Sequence, residues 1–278
     1  MNESGTGSAP IRNGWEKAAH GYLKGIGAQL EPVSGHLAKM LRPVLSPPVL
    51  DLACGPGTAL KHVWRDVPGF SGLGCDFSRE MVGLALNRVK GARGVVADQD
   101  LLPFAPESFG SVVSSMGTIF SSAPERQIPE IARILKPGGA YGFSAWGRAE
   151  ECALRGVSES VIREWPHPYE GRIPSLESPY SAGMTGWLES VARQSGFRID
   201  RVDSGTLTFR FPDRDSAASA LLATGRLALL LRNAPARSDL EKELFERARD
   251  AFSPHADSGT GAVSLSNRYH LFVLVRIP

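Results

Sequence analysis

The 278-residue sequence predicts an α/β fold with a doubly wound, mostly parallel sheet. Three observations lead there. Short apolar runs near 49–53, 71–75, 94–97 and 111–115 alternate with helix-like segments near 58–66, 78–89 and 125–135. The first run ends in an acid and a glycine-punctuated turn, Asp51-Leu52-Ala53-Cys54-Gly55-Pro56-Gly57-Thr58. Finally, 42% hydrophobic against 22% charged residues is enough for a full core with an elaboration.

The elements follow in order. Residues 1–12 are small and polar and are expected to be a disordered tail. Residues 13–30 read as a helical lid, with Trp15, Ala18, Ala19, Tyr22 and Leu23 near helical spacing, and 31–42 as a helix stopped by Pro43 and Pro47-Pro48. The alternating core runs to 147, its fifth strand spanning 140–146. Residues 148–183 hold a helix over 150–165 and then an irregular stretch. Residues 184–212 return to the core as a helix, Gly196 and a strand from Phe197. Residues 213–262 hold helices over 216–231 and 238–252, and 263–278 supply the last strand. The two insertions, 148–183 and 213–262, follow strands expected to end at the ligand crevice, so they are expected to form a helical cap over a substrate.

The glycine turn carries the first chemical signal. A strand that stops at such a turn and feeds a helix presents backbone N–H groups to a ligand, and glycine lets that ligand approach without a Cβ in the way. A dinucleotide fingerprint needs a third glycine. Started at Gly55 that place holds Leu60, and started at Ala53 it holds Thr58, so the pattern is incomplete.

Three further segments come in order. Residues 70–78 read as a second strand ending at Asp76, about 20 residues past the turn, where an acid can accept both ribose hydroxyls; Ser78 follows as a helix N-cap. Residues 94–104 hold a short strand ending at Asp98, then Gln99, Asp100 and Leu102-Pro103-Phe104. Residues 131–144 read as a helix end, a Pro137-Gly138-Gly139 turn and another strand. Together these segments resemble the small-molecule branch of the class I S-adenosylmethionine (SAM)-dependent methyltransferases, the group that includes the ubiquinone and menaquinone methyltransferases.

The resemblance covers about residues 35–147. It implies a seven-stranded Rossmann-like sheet with the last two strands at its edge, and SAM as cosubstrate. It places the Gly55/Gly57 turn at the methionine end, Asp76 at the ribose, Asp98 or Gln99 at the adenine, and Ser114 and Ser115 near the methyl group. Asp51, Ala53, Cys54, Phe77, Met81, Asp100 and Tyr22 complete the expected cofactor set, Asp51 having an alternative reading as a turn-stabilising acid. Tyr22, Trp146, Trp165 and Tyr169 are the expected substrate-pocket aromatics.

Composition narrows the partners. A net charge of +2 and the lack of a basic, aromatic-interleaved track argue against nucleic acid. There is no apolar run of membrane-spanning length and no secretion-signal pattern, so a cytoplasmic protein is expected. Cys54, Cys75 and Cys152 lack metal-ligand spacing, and no metal is expected. The expected acceptor is a small organic molecule, with bacterial secondary metabolism as the setting. An oxygen acceptor would want a general base, for which His167 and His20 are the candidates; a nitrogen or activated carbon acceptor needs none. Two other readings stay open: a SAM-fold enzyme that uses SAM structurally in a cyclisation or isomerisation, and a non-catalytic SAM-binding protein. Oligomeric state is not encoded in any recognisable feature.

Overall fold

Five strands run parallel and bring their C-terminal ends to one edge of a sheet. In a computed structural model describing residues 8–64, 72–167, 186–232 and 239–278, these are β1 (Val49–Leu52), β2 (Gly72–Asp76), β3 (Arg93–Val96), β4 (Phe109–Ser115) and β5 (Leu135–Trp146). With β6 (Phe197–Phe211) and β7 (Val263–Arg276) the order is β3-β2-β1-β4-β5-β7-β6, and β7 lies antiparallel to β5. The order reverses between β1 and β4, and that switch point is where open α/β sheets bind ligands.

The chain divides into two compact units. One comprises Leu30–Arg148, Leu176–Gly205 and Arg268–Pro278. Its helices are α3 (Glu31–Leu41), α4 (Thr58–Trp64), α5 (Arg79–Arg88), α6 (Pro124–Ile134) and α8 (Gly186–Gln194). Alternate residues of β5 set its layers, because successive strand side chains point to opposite faces. Tyr141 and Phe143 stack at 4.9 Å, and Phe143 stacks on Phe272 of β7 at 4.8 Å, in a buried cluster with Ile128 and Ile131 of α6 and Leu188 of α8. On the other face Gly142 leaves room for Leu37 and Leu41 of α3. The buried Tyr141 hydroxyl is satisfied by Thr118 Oγ1 at 2.5 Å.

The other unit comprises Met1–Gln29, Ala149–Ser175 and Thr206–Asn267. It holds α1 (Ser8–Lys24), α2 (Ile26–Gln29), α7 (Ala153–Arg163), α9 (Arg214–Leu222), α10 (Gly225–Arg232) and α11 (Leu240–Ala251). Leu227, Leu230, Leu244, Ala248 and Phe252 are fully buried in it.

Two expectations change. Helix α1 begins at Ser8, inside the expected tail, with Pro10 in the first turn, where its missing N–H costs nothing. The single helix expected over 216–231 is two. Thr224 ends α9 by turning both its N–H (3.0 Å) and its hydroxyl (2.8 Å) back onto the Leu221 carbonyl, and Gly225, a poor helix former, follows. The Pro137-Gly138-Gly139 turn appears as a register irregularity within β5, which pairs Phe109 with Leu135 and Ser111 with Ala140.

Candidate functional site

The loops after β1, β2, β3 and β4 meet at the switch point. After β1 the chain turns through left-handed geometry at Ala53 (φ 52°), Gly55 (φ 50°) and Gly57 (φ 78°). Met116, just past β4, is also left-handed (φ 57°), so two non-glycine residues hold this disfavoured conformation on adjacent strand ends. The ends also approach closely: a Cβ at Gly117 would lie 2.5 Å from the Ala53 Cβ. Only glycine fits there.

Three carboxylates surround this turn. Asp76 Oδ2 accepts the Gly55 N–H and Oδ1 accepts the Ser78 N–H, each at 2.9 Å, so one side chain ties the β1 turn to the start of α5. Ser78 then caps α5 by accepting the Met81 N–H at 3.2 Å. Asp51 is 1% exposed; its Oδ2 accepts the Leu60 N–H at 2.9 Å, while Oδ1 is buried with no hydrogen-bond partner among the described residues. Burial, reinforced by the nearby Asp76, pushes the Asp51 carboxyl up to about 8 despite the Leu60 bond. Asp98 accepts the Asp100 N–H at 3.0 Å. Burial, then the fields of Asp76, Asp51 and Asp98 together, raise the Cys75 thiol to about 12.

The β3 and β4 ends are knitted by side chains. Gln99 Nε2 donates to the Gly117 carbonyl at 3.3 Å, and its Oε1 accepts from Gln127 at 3.0 Å. Ser114 Oγ accepts the Thr118 N–H at 3.0 Å, and Ser115 Oγ lies 2.9 Å from Ser34 Oγ of α3. Arg133 donates to the carbonyls of Leu102 and Phe104, pinning the Leu102-Pro103-Phe104 step beside this loop.

A sequence model described as a methyltransferase domain matches residues 49–139, the stretch that carries all four strand ends. The chain is 34% identical over 168 residues to a demethylmenaquinone methyltransferase of Clavibacter sepedonicus, covering 55% of this chain and 68% of that one. The chain belongs to the class I SAM-dependent methyltransferases. This methyltransferase is also 29% identical over 240 residues to a malonyl-[acyl-carrier protein] O-methyltransferase of Methylococcus capsulatus, covering 84% of this chain and 82% of that one. Its fold matches the crystal structure of the YcgJ protein of Bacillus subtilis with a TM-score of 0.57 at 16% identity, over 87% of this chain and 99% of that one. SAM is its cosubstrate and it is an enzyme of methyl transfer.

The methyltransferase's own residues fit SAM. The Asp51 Oδ1 is a buried acceptor lacking a donor, matched to an ammonium. The space where a Gly55 side chain would stand is open, with nothing among the described residues within 4 Å. Asp76, through the Gly55 and Ser78 N–H groups, sets a carboxylate beside that turn.

The remaining expected site residues lie as follows. Cys54 and Met81 are buried, at 6% and 2% exposure, and Phe77 is half-buried. Asp100 accepts from Ser121 and from the N–H and hydroxyl of Ser122, so it braces the loop before α6. Trp146 packs at the margin of the sheet core. In the other unit, Tyr22 lies edge-on to Trp15 at 5.3 Å, Trp165 is buried edge-on to His167, His20 is exposed on α1, and His167 Nε2 lies 2.7 Å from Glu243 Oε2. Tyr169 lies outside the described residues.

One group escaped the sequence reading. His36 of α3 bridges Tyr269 of β7, Nδ1 to Oη at 3.1 Å, and Asp203 of β6, Nε2 to Oδ2 at 3.0 Å. The partners stand 233 and 167 residues away, so no local pattern could have paired them.

Proposed function

We propose that this methyltransferase acts on a small organic acceptor, in the cytoplasm, with the residues of the β1–β4 strand ends holding SAM. The reading rests on one observation above all: the orphaned Asp51 Oδ1 and the Asp76 bridge sit side by side at the switch point of a chain in this family. Asp51 receives the ammonium of the methionine end. The Gly55–Gly57 turn lets the ligand close on the backbone, Asp76 takes the ribose hydroxyls, and the Asp98–Gln99 turn faces the adenine. SAM supplies an already electrophilic methyl on a sulfonium, so the chain's task is to align the acceptor and exclude water.

Near-neutral charge and three buried cysteines outside any disulfide suit a small acceptor and a reducing compartment. The segments 148–183 and 213–262 are proposed to choose that acceptor, and bacterial secondary metabolism is the proposed setting. The test is transfer of labelled methyl from SAM to a naphthohydroquinone and to a malonyl thioester, with S-adenosylhomocysteine measured in parallel. Labelled product with stoichiometric S-adenosylhomocysteine supports the reading. Turnover without S-adenosylhomocysteine would fit a structural use of SAM instead.

A further inference from the structure

Two amide side chains form a directed chain from α6 to the end of β4. Gln127 of α6 is 1% exposed, and its Nε2 donates to Gln99 Oε1 at 3.0 Å. Gln99 Nε2 donates in turn to the Gly117 carbonyl at 3.3 Å, an oxygen that also accepts the Phe120 N–H at 3.0 Å. A backbone carbonyl only accepts, so the Gly117 end fixes the direction of both amides. The NH2 of Gln99 faces Gly117, its oxygen faces α6, and the NH2 of Gln127 meets that oxygen.

The position of Gln127 is unusual for its helix face. α6 buries it beside Ile128, Ile131, Ala132 and Ile134. Burying an amide is costly unless it is bonded, so this place asks for polar recognition where the rest of the face asks only for packing. A second tie runs alongside. Asp100 accepts the N–H and the hydroxyl of Ser122, each at 2.7 Å, and Asp98 accepts the Asp100 N–H at 3.0 Å. The 98–100 turn is therefore held to the segment before α6 by Asp100, and to α6 and the β4 end by Gln99. Met116, next to Gly117, is left-handed, a conformation that persists only where its surroundings over-determine it. Ser144 Oγ accepts the Met116 N–H at 2.9 Å, and Gln99 holds the carbonyl of the residue that follows.

We infer that Gln127 is a positioning residue for the cosubstrate: by orienting the Gln99 amide it locks the Asp98–Asp100 turn to Gly117 and so shapes the face that receives the adenine ring. This rests on the reading of the strand ends as the SAM site. The action of Gln127 runs through Gln99, and it has a sign. Glutamate at 127 keeps the shape but offers a carboxylate, which opposes Gln99 Oε1. Should the Gln99 amide turn to meet it, Oε1 comes against the Gly117 carbonyl instead. Methionine at 127 removes the donor without adding repulsion, so it is the milder change.

The experiment titrates the full chain calorimetrically with S-adenosylhomocysteine and with methylthioadenosine, which carries the adenosyl group but no amino acid. Gln127→Met weakens both ligands by the same factor, about tenfold, and Gln127→Glu weakens both further. Gln99→Met alone gives the loss seen with Gln127→Met, and on that background Gln127→Met changes neither affinity again, because the bond it serves is already gone. Asp51→Asn, acting at the methionine end, weakens S-adenosylhomocysteine alone. Thermal melts of every variant separate binding from folding. Lowered Tm with unchanged affinities, or an equal loss from Gln127→Met with and without Gln99, would mean packing only and overturn the inference. A loss for S-adenosylhomocysteine that methylthioadenosine does not share would move the effect away from the adenine and overturn it too. A wild-type chain that binds neither ligand would bring down the SAM-site reading itself, and the inference with it.

Discussion

The strand-end loops of β1–β4 and the α3–β6–β7 cluster share a sheet but are built in opposite ways. Asp51 is buried and its carboxyl is pushed up to about 8, whereas Asp203 is largely exposed and held below the ordinary range. The loops are fixed by backbone: Asp76 grips two N–H groups, Ser78 caps a helix, and left-handed residues set the turns. The cluster is joined by side-chain bonds between distant parts of the chain, with the Ser204 N–H holding Asp203 locally. Backbone and short-range bonds fix the strand-end loops, which are proposed to hold the cosubstrate. Side-chain bonds assembled from distant segments can change without rebuilding the sheet.

The sharpest way to break this contrast is at Asp76. Asp76→Ala removes the acceptor for two backbone N–H groups and the proposed ribose ligand together, so S-adenosylhomocysteine affinity should fall more than about a hundredfold, at roughly 1.5–3 kcal/mol per charge-assisted bond. Calorimetric titration reads it; unchanged affinity would mean the ligand lies elsewhere.

Asp51 should reveal itself through pH. Its folded-state carboxyl titrates near 8, against an ordinary value of 3.8, so the native state holds a proton that the unfolded chain has released. Between about pH 4 and 8 this residue's contribution to stability therefore falls as pH rises. Pairing with an ammonium favours the ionised form, so binding releases a proton and wild-type affinity for SAM should strengthen from pH 6 to pH 8. Asp51→Asn should bind more weakly and flatten that dependence, which titration at several pH values measures. A wild-type profile that is already flat would restore the turn-stabilising role.

Smaller effects sharpen the backbone side. Gly117→Ala forces a Cβ against Ala53 and should cost about 1–3 kcal/mol in denaturant unfolding, with weaker SAM binding in proportion. Ser78→Ala removes the α5 cap and should cost about 1 kcal/mol, a fall in Tm of a few degrees in a thermal melt.

The same contrast explains what the sequence disclosed. The order of strands and helices, the Gly55–Gly57 turn, Asp76 and the Ser78 cap were legible because each depends on neighbours within a few residues or on one strand-to-strand step. Residues 216–231 were misread as one helix because the Thr224 back-bond to Leu221 is a local competitor that hydrophobic spacing does not register. His20 and His167 were singled out as base candidates for their places in the expected lid and insertion, and His167 meets Glu243. His36 gave no signal, since its meaning comes from two strands that follow more than 160 residues later.

A crystal structure with S-adenosylhomocysteine bound puts the account to its most direct trial. The account predicts the amino group on Asp51 Oδ1 and the ribose hydroxyls on the Asp76 carboxylate, each at about 3 Å. A ligand seated away from the β1 and β2 ends, with Asp51 Oδ1 still lacking a donor, would contradict it.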